Sequence, residues 1–290
     1  MKRIISISLA AALALSLAAC GAPASESAAP SESVSASEST AGTQEAADAG
    51  SDAADAESDL AYVQDKGTLV IGYTVYAPMN YTDENGEFTG FDTELATAVC
   101  EQLGVTPEFQ EINWNTKVVE LDAKSIDCIW NGMTLTEDIL ANTACTEPYA
   151  KNAQVVVMKA DAEYASTADL ADGVVAYEAG SAGQDTVEGD EYLSQAEGVP
   201  MSVQTNCLRE VEAGTATAAV LDLTLANAMI GEGTDYADLE IKDELNVEEY
   251  GVAFRKGSDL AEAVNQAFAA LREDGTMQAL ADKYNLELAD

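Results

Sequence analysis

The chain has 290 residues, 47% of them hydrophobic, which is enough to bury one or two cores. Its 13 Lys and Arg stand against 52 Asp and Glu, so a net charge of −39 repels any partner read through phosphates and excludes nucleic acid. His is absent, which removes Ser-His-Asp and Cys-His catalysis, imidazole metal sites and histidine pH switching.

Residues 1–20 open with Lys2 and Arg3, continue as an Ala- and Ser-rich apolar run and end in small residues before Cys20, the layout of a secretory signal. The run is too short to favour a permanent transmembrane helix. Leu17-Ala18-Ala19-Cys20-Gly21 resembles a bacterial lipobox, which implies cleavage before Cys20 and lipid on that residue. Several acyl chains on Cys20 would hold the body at the outer face of a membrane. From 21 to 59 the sequence is Ala, Ser, Gly, Thr, Pro, Gln and acids with one Val, without aromatic residues, Lys or Arg, and is expected to be a disordered acidic tether.

From Leu60 onward short apolar runs alternate with helical patterns, as an α/β architecture requires. Leu69-Val70-Ile71-Gly72 reads as a buried first strand, and Asp83-Glu84-Asn85-Gly86 as the turn of a hairpin between Tyr81 and Phe88. Asp92 is placed to cap a helix with Leu95, Val99 and Leu103 on one face, stopped by Gly104. A strand over 109–112, a helix over 116–121, a strand over 126–130 and a loop over 131–136 follow. The second series comprises strands over 154–158 and 174–177, a helix from near Gln184, a helix over 207–213, a strand over 219–222 and a helix over 223–230. A strand over 252–254 and helices over 260–271 and 277–284 close the chain. At this level one continuous sheet and two separate domains are both open. Cys100, Cys128, Cys145 and Cys207 are expected to be free thiols, with Cys100 and Cys128 near enough to pack and a bond between those two left open.

Seven stretches, in order, resemble the family 3 extracellular solute-binding proteins, the amino-acid receptors of ABC importers. They are Gly67–Gly72; Tyr76-Ala77-Pro78-Met79; Asp83–Gly86 with Thr89-Gly90-Phe91-Asp92; Ile126-Asp127-Cys128-Ile129-Trp130-Asn131-Gly132-Met133-Thr134; Glu147-Pro148-Tyr149; Tyr250-Gly251-Val252-Ala253-Phe254-Arg255-Lys256-Gly257; and Asp274-Gly275-Thr276. The resemblance implies a two-lobed periplasmic-binding-protein-like α/β fold with a hinge of two crossing segments, near 152–156 and 245–249. Lobe one would comprise 60–153 and 248–290, and lobe two 154–247. Closure around a solute would report occupancy to ABC permease and ATPase subunits. The Trp-Asn-Gly variant is similar to receptors for glutamine, cystine and other polar amino acids. A monomer is expected, with no cofactor and no metal.

A free amino acid needs a carboxylate for its ammonium and donors for its carboxylate. Asp222 ends an apolar strand pattern and matches the family's amine-binding Asp; its other reading is the N-cap of the next helix. Asn131, Gly132 and Thr134 match the loop that donates to the ligand, Tyr76 matches the aromatic cover, Met79 stands where a second aromatic is frequent, and Trp130 would line or buttress the cleft floor. Two departures bear on the carboxylate. Ile139 stands where the family carries an Arg fork, and Ala182 where a hydroxyl follows Gly180-Ser181. Ser181, the amides opening the next helix, and Lys117 are the substitutes. The expected ligand is a polar amino acid or a close derivative. The alternatives are an amine or amide lacking a free carboxylate, an enzyme of dehydratase or lyase type on the same scaffold, and a sensory module.

Overall fold

The computed structural model describes residues 58–290. The signal segment, Cys20 and the tether up to residue 57 lie outside the described residues. Asp59, read as the last residue of the tether, instead opens helix α1 (Asp59–Lys66), whose N-cap Ser58 accepts a hydrogen bond from the Ala61 amide. Then come β1 (Thr68–Tyr73), the short β2 (Tyr81–Thr82) and β3 (Phe88–Thr89), α2 (Phe91–Leu103), β4 (Thr106–Glu111), α3 (Lys117–Asp122), β5 (Cys128–Thr134), α4 (Glu137–Asn142), β6 (Ala144–Cys145) and β7 (Ala150–Lys159). The second run is β8 (Val174–Glu178), α5 (Ala182–Gly189), β9 (Glu197–Met201), α6 (Gln204–Ala213), β10 (Ala218–Asp222), α7 (Leu223–Met229), β11 (Leu239–Phe254), α8 (Leu260–Glu273) and α9 (Thr276–Tyr284).

Of the two architectures open at the sequence level, a continuous hydrogen-bonded path is observed. Nine strands form one sheet, in the order β4-β1-β5-β11-β7-β10-β8-β9, with β6 also on β11. The outer pairs β1–β4, β1–β5, β8–β10 and β8–β9 are parallel, whereas β7 and β11 run antiparallel from Leu239↔Lys159 to Tyr250↔Ala150. The far end of β11 pairs with β5, and β7 pairs with β10. The chain therefore crosses between the two sides of the molecule through β7 and β11, and the register shifts between Ile241 and Asp243 and between Glu244 and Asn246.

Local chemistry accounts for the elements. Leu69 and Ile71 of β1 are fully buried. The hairpin forms as expected, with Asp83 Oδ1 accepting from the Asn85 and Glu87 amides. Gly104 ends α2 in the left-handed region, its amide donating to Cys100 O and Glu101 O. Leu260, Val264, Phe268 and Leu271 form the buried stripe of α8. All four described cysteines are free, and Cys100, Cys128 and Cys207 are buried. Burial pushes the Cys100 thiol up to about 12.

Three expectations are corrected. The loop expected over 131–136 is strand as far as Thr134, because β5 pairs with β11 through Tyr250↔Thr134 and Gly251↔Met133. The strand expected over 252–254 begins thirteen residues earlier, at Leu239. Asp92 does not cap α2; Gly90 holds that position and the Asp92 carboxylate reaches another element.

Candidate functional site

A cavity of about 370 Å³ lies where the loop after β1, the ends of β5 and α3, the β8–α5 turn and the end of β10 converge. The sheet delivers two carboxylates to it in the same way, as the last side chains of strands. Asp222 ends β10 and Glu178 ends β8; both are buried and both line the cavity.

Asp222 occupies the N-cap position of α7, yet its side chain makes no capping bond. It accepts instead from Asn152 Nδ2 (2.8 Å), Gln154 Nε2 (2.5 Å) and Gln204 Nε2, while its own amide donates to Gln204 Oε1 (3.0 Å). The same two strand amides hold a second carboxylate. Glu248 Oε1 on β11 accepts from Asn152 Nδ2 (2.7 Å), Gln154 Nε2 (2.9 Å) and Thr134 Oγ1 (2.8 Å). Burial raises both acids above the ordinary carboxylate range, and the Asp222 charge adds to the rise of Glu248, which reaches about 8. Glu178 is also pushed to about 8, first by burial and then by Asp222, with Lys117 opposing. Among the described residues its Oε1 has no hydrogen-bond partner.

The opposite wall comes from the loop after β1 and from β5. Tyr76 is 2% exposed and shares a 2.6 Å hydroxyl contact with Tyr250. Asn131 spends its whole side-chain amide inside the protein, accepting from Thr74 N and Oγ1 and donating to Thr74 O and Asn80 Oδ1. It shapes the wall and stitches β5 to the loop. Gly132 has φ +54, and a Cβ there would stand 2.7 Å from the Tyr76 ring. Its amide donates to Asp92 Oδ2 at 2.6 Å, and Tyr149 donates to the same oxygen at 3.0 Å. Burial raises Asp92 to about 7.

At the mouth, Lys117 Nζ donates to Gly180 O at 2.7 Å and to Trp114 O at 3.3 Å, and lies 4.8 Å from the Trp114 ring centre. Burial holds the Lys117 ammonium below its usual range. The two sides of the cavity meet here, since a Cβ on Gly180 would stand 2.8 Å from Asn115 Cα. Ser181 caps α5, accepting from the Gln184 amide and donating to Glu178 O.

Of the residues expected in the site, Tyr76, Lys117, Asn131, Gly132, Thr134, Ser181 and Asp222 line this one cavity. Met79 and Trp130 do not. Met79 is fully buried in the core with Phe91 and Leu95, and Trp130 packs edge-on against Phe268 at 5.7 Å. Trp130 is thereby turned toward α8. Ile139, at the place of the missing Arg, lines the cavity and is 5% exposed. Sequence reasoning missed Glu178, although the strand-end rule that selects Asp222 selects it equally. Gln204, Asn152, Gln154 and Glu248 converge only in three dimensions.

Residues 69–287 match the family model of the bacterial extracellular solute-binding proteins, family 3. The chain belongs to this family. It is 30% identical over 230 residues to the L-cystine-binding protein TcyJ of Escherichia coli strain K12, a match covering 77% of this chain and 84% of that protein. A substrate-binding protein of an ABC uptake transporter from Streptococcus pneumoniae, solved with bound histidine, superposes with a TM-score of 0.72 at 28% identity, covering 79% of this chain and 96% of that one. The ancestral amino-acid-binding protein AncCDT-1, a precursor of cyclohexadienyl dehydratase, gives 0.71 at 30% identity, covering 78% and 99%. These neighbours carry the two-lobed architecture expected of the family, whose members are extracellular binding proteins. Among the described residues no helix is long and apolar enough to cross a membrane.

Proposed function

We propose that this chain is the solute receptor of an ABC importer, capturing a small amino compound of amino-acid size in the cavity around Asp222. The observation that carries the reading is a buried carboxylate, caged by three side-chain amides, that lines a cavity and, among the described residues, has no cationic side chain bonded to it. Burying such a charge is costly unless an opposite charge joins it, and a ligand ammonium supplies both charge and donors. Family membership and the cystine- and histidine-binding relatives support the same class of solute.

In this reading 60–153 with 248–290 form one lobe, 154–247 form the other, and β7 and β11 are the hinge. Tyr76 covers the solute, while Thr134 and Ser181 border it. The lobes shut because the closed state makes more contacts with the solute than the open one. Cys20 carries the lipid that holds the receptor at the outer membrane face, and permease and ATPase subunits take the solute onward.

The test is Asp222→Ala. It is expected to abolish the rise in melting temperature that the protein's own solute produces; an undiminished rise removes Asp222 from the site.

A further inference from the structure

We infer that the solute is a small amine without a free carboxylate, a deeper statement of the cleft reading above that rests on it. The cavity's own chemistry sorts the two charges of an amino acid. Asp222 and Glu178 are buried acceptors aimed into about 370 Å³ of space, and one Glu178 oxygen is unpartnered. Asp138 and Asp185 add negative charge at the rim. The rings of Tyr76 and Trp114 border the same space, the second already carrying the Lys117 ammonium.

For a carboxylate the described lining offers no free charged donor, the backbone amides that open α5 after Ser181 being neutral. Lys117 is the one cationic side chain among the described residues that line the cavity, and its ammonium is tied to two carbonyls and seated on an indole. Thr134 gives its hydroxyl proton to Glu248, Ser181 gives its own to Glu178 O, and Gln204 turns its amide to Asp222. The three described arginines are engaged elsewhere: Arg209 with Asn206, Arg255 with Asp59 and the Ile126 carbonyl, Arg272 with the Pro148 carbonyl. Ile139 presents hydrocarbon where a fork would be needed. A carboxylate entering this space would lose its water, find no free charged donor and lie beside the buried acids Asp222 and Glu178. An ammonium meets the Asp222 carboxylate and the unpartnered Glu178 oxygen.

Calorimetric titration of the intact protein with matched pairs tests this: lysine against 1,5-diaminopentane, arginine against agmatine, and glutamine against 4-aminobutanamide. The decarboxylated member of at least one pair is expected to bind tenfold or more tightly than its parent. Glu178→Gln, which keeps the shape and removes the carboxylate, is expected to weaken that amine tenfold or more. Parents that bind as tightly as their amines, amines that do not bind at all, or an unchanged amine affinity in Glu178→Gln each overturn the inference. Asp222→Asn separates the two levels. An amino acid whose binding vanishes in Asp222→Asn overturns the amine class and leaves the cleft reading standing; binding insensitive to Asp222→Asn removes the cleft reading as well.

Discussion

Gly132 sits in the left-handed region beneath two tyrosine rings, so its lack of a side chain is demanded twice, once by φ and once by space. Gly132→Ala would place a Cβ 2.7 Å from Tyr76 and 3.2 Å from Tyr250. Strain and overpacking together are expected to cost about 2–4 kcal/mol. Denaturant unfolding checks this; an unchanged midpoint would mean that the rings yield freely. The sequence reading found Gly132 through its motif and Asp222 through its place at a strand end, because both signals are local. It placed Met79 at the cavity and left Trp130 between lining and buttressing its floor, since the direction in which a side chain points depends on tertiary packing. The role of Asp92 was equally hidden: an acid in the first turn of α2 serves the amide of residue 132, a pairing that no local pattern encodes.

At the scale of elements, strands end at the cavity and place acids there against the solvation they would prefer. Glu178 on β8 and Glu248 on β11 both titrate near 8 in the folded chain, well above the ordinary carboxylate range. Raised values mean that the folded state holds protons that the unfolded chain has lost. The stability these groups contribute is therefore complete below about pH 4.5 and declines as pH rises through about 8. Urea unfolding of the solute-free protein between pH 5 and 8.5 is expected to show that decline, and Glu178→Gln to make it shallower. An equal slope in wild type and variant contradicts the assignment for Glu178. The same strands mark where the sequence was hard to read. β11 carries Glu240, Glu244, Glu248 and Glu249 in a half-exposed stretch, and backbone pairing with β7 sustains it without an apolar alternation. β9, with Pro200 at the sheet edge, gave no strand signal either. The buried runs of β1, β8 and β10 were legible because apolar content and strand coincide there.

For the whole molecule, two antiparallel strands carry every crossing of the chain between the sides of the cavity, while Lys117 and Gly180 touch across its mouth. In the proposed reading a body joined by so few crossings swings about them, and the contact at the mouth belongs to its shut arrangement. Overall class was readable from alternating strand and helix patterns and from seven motifs in order. The continuity of the sheet was not, because it depends on β7 and β11 finding each other across some eighty residues. The central claim is that a solute closes the molecule around the Asp222 cavity. Small-angle X-ray scattering from the solute-free protein, repeated with whichever titrated compound most raises its melting temperature, tests it most directly. A smaller radius of gyration and a shorter maximum dimension are expected with the compound; superimposable curves would contradict closure.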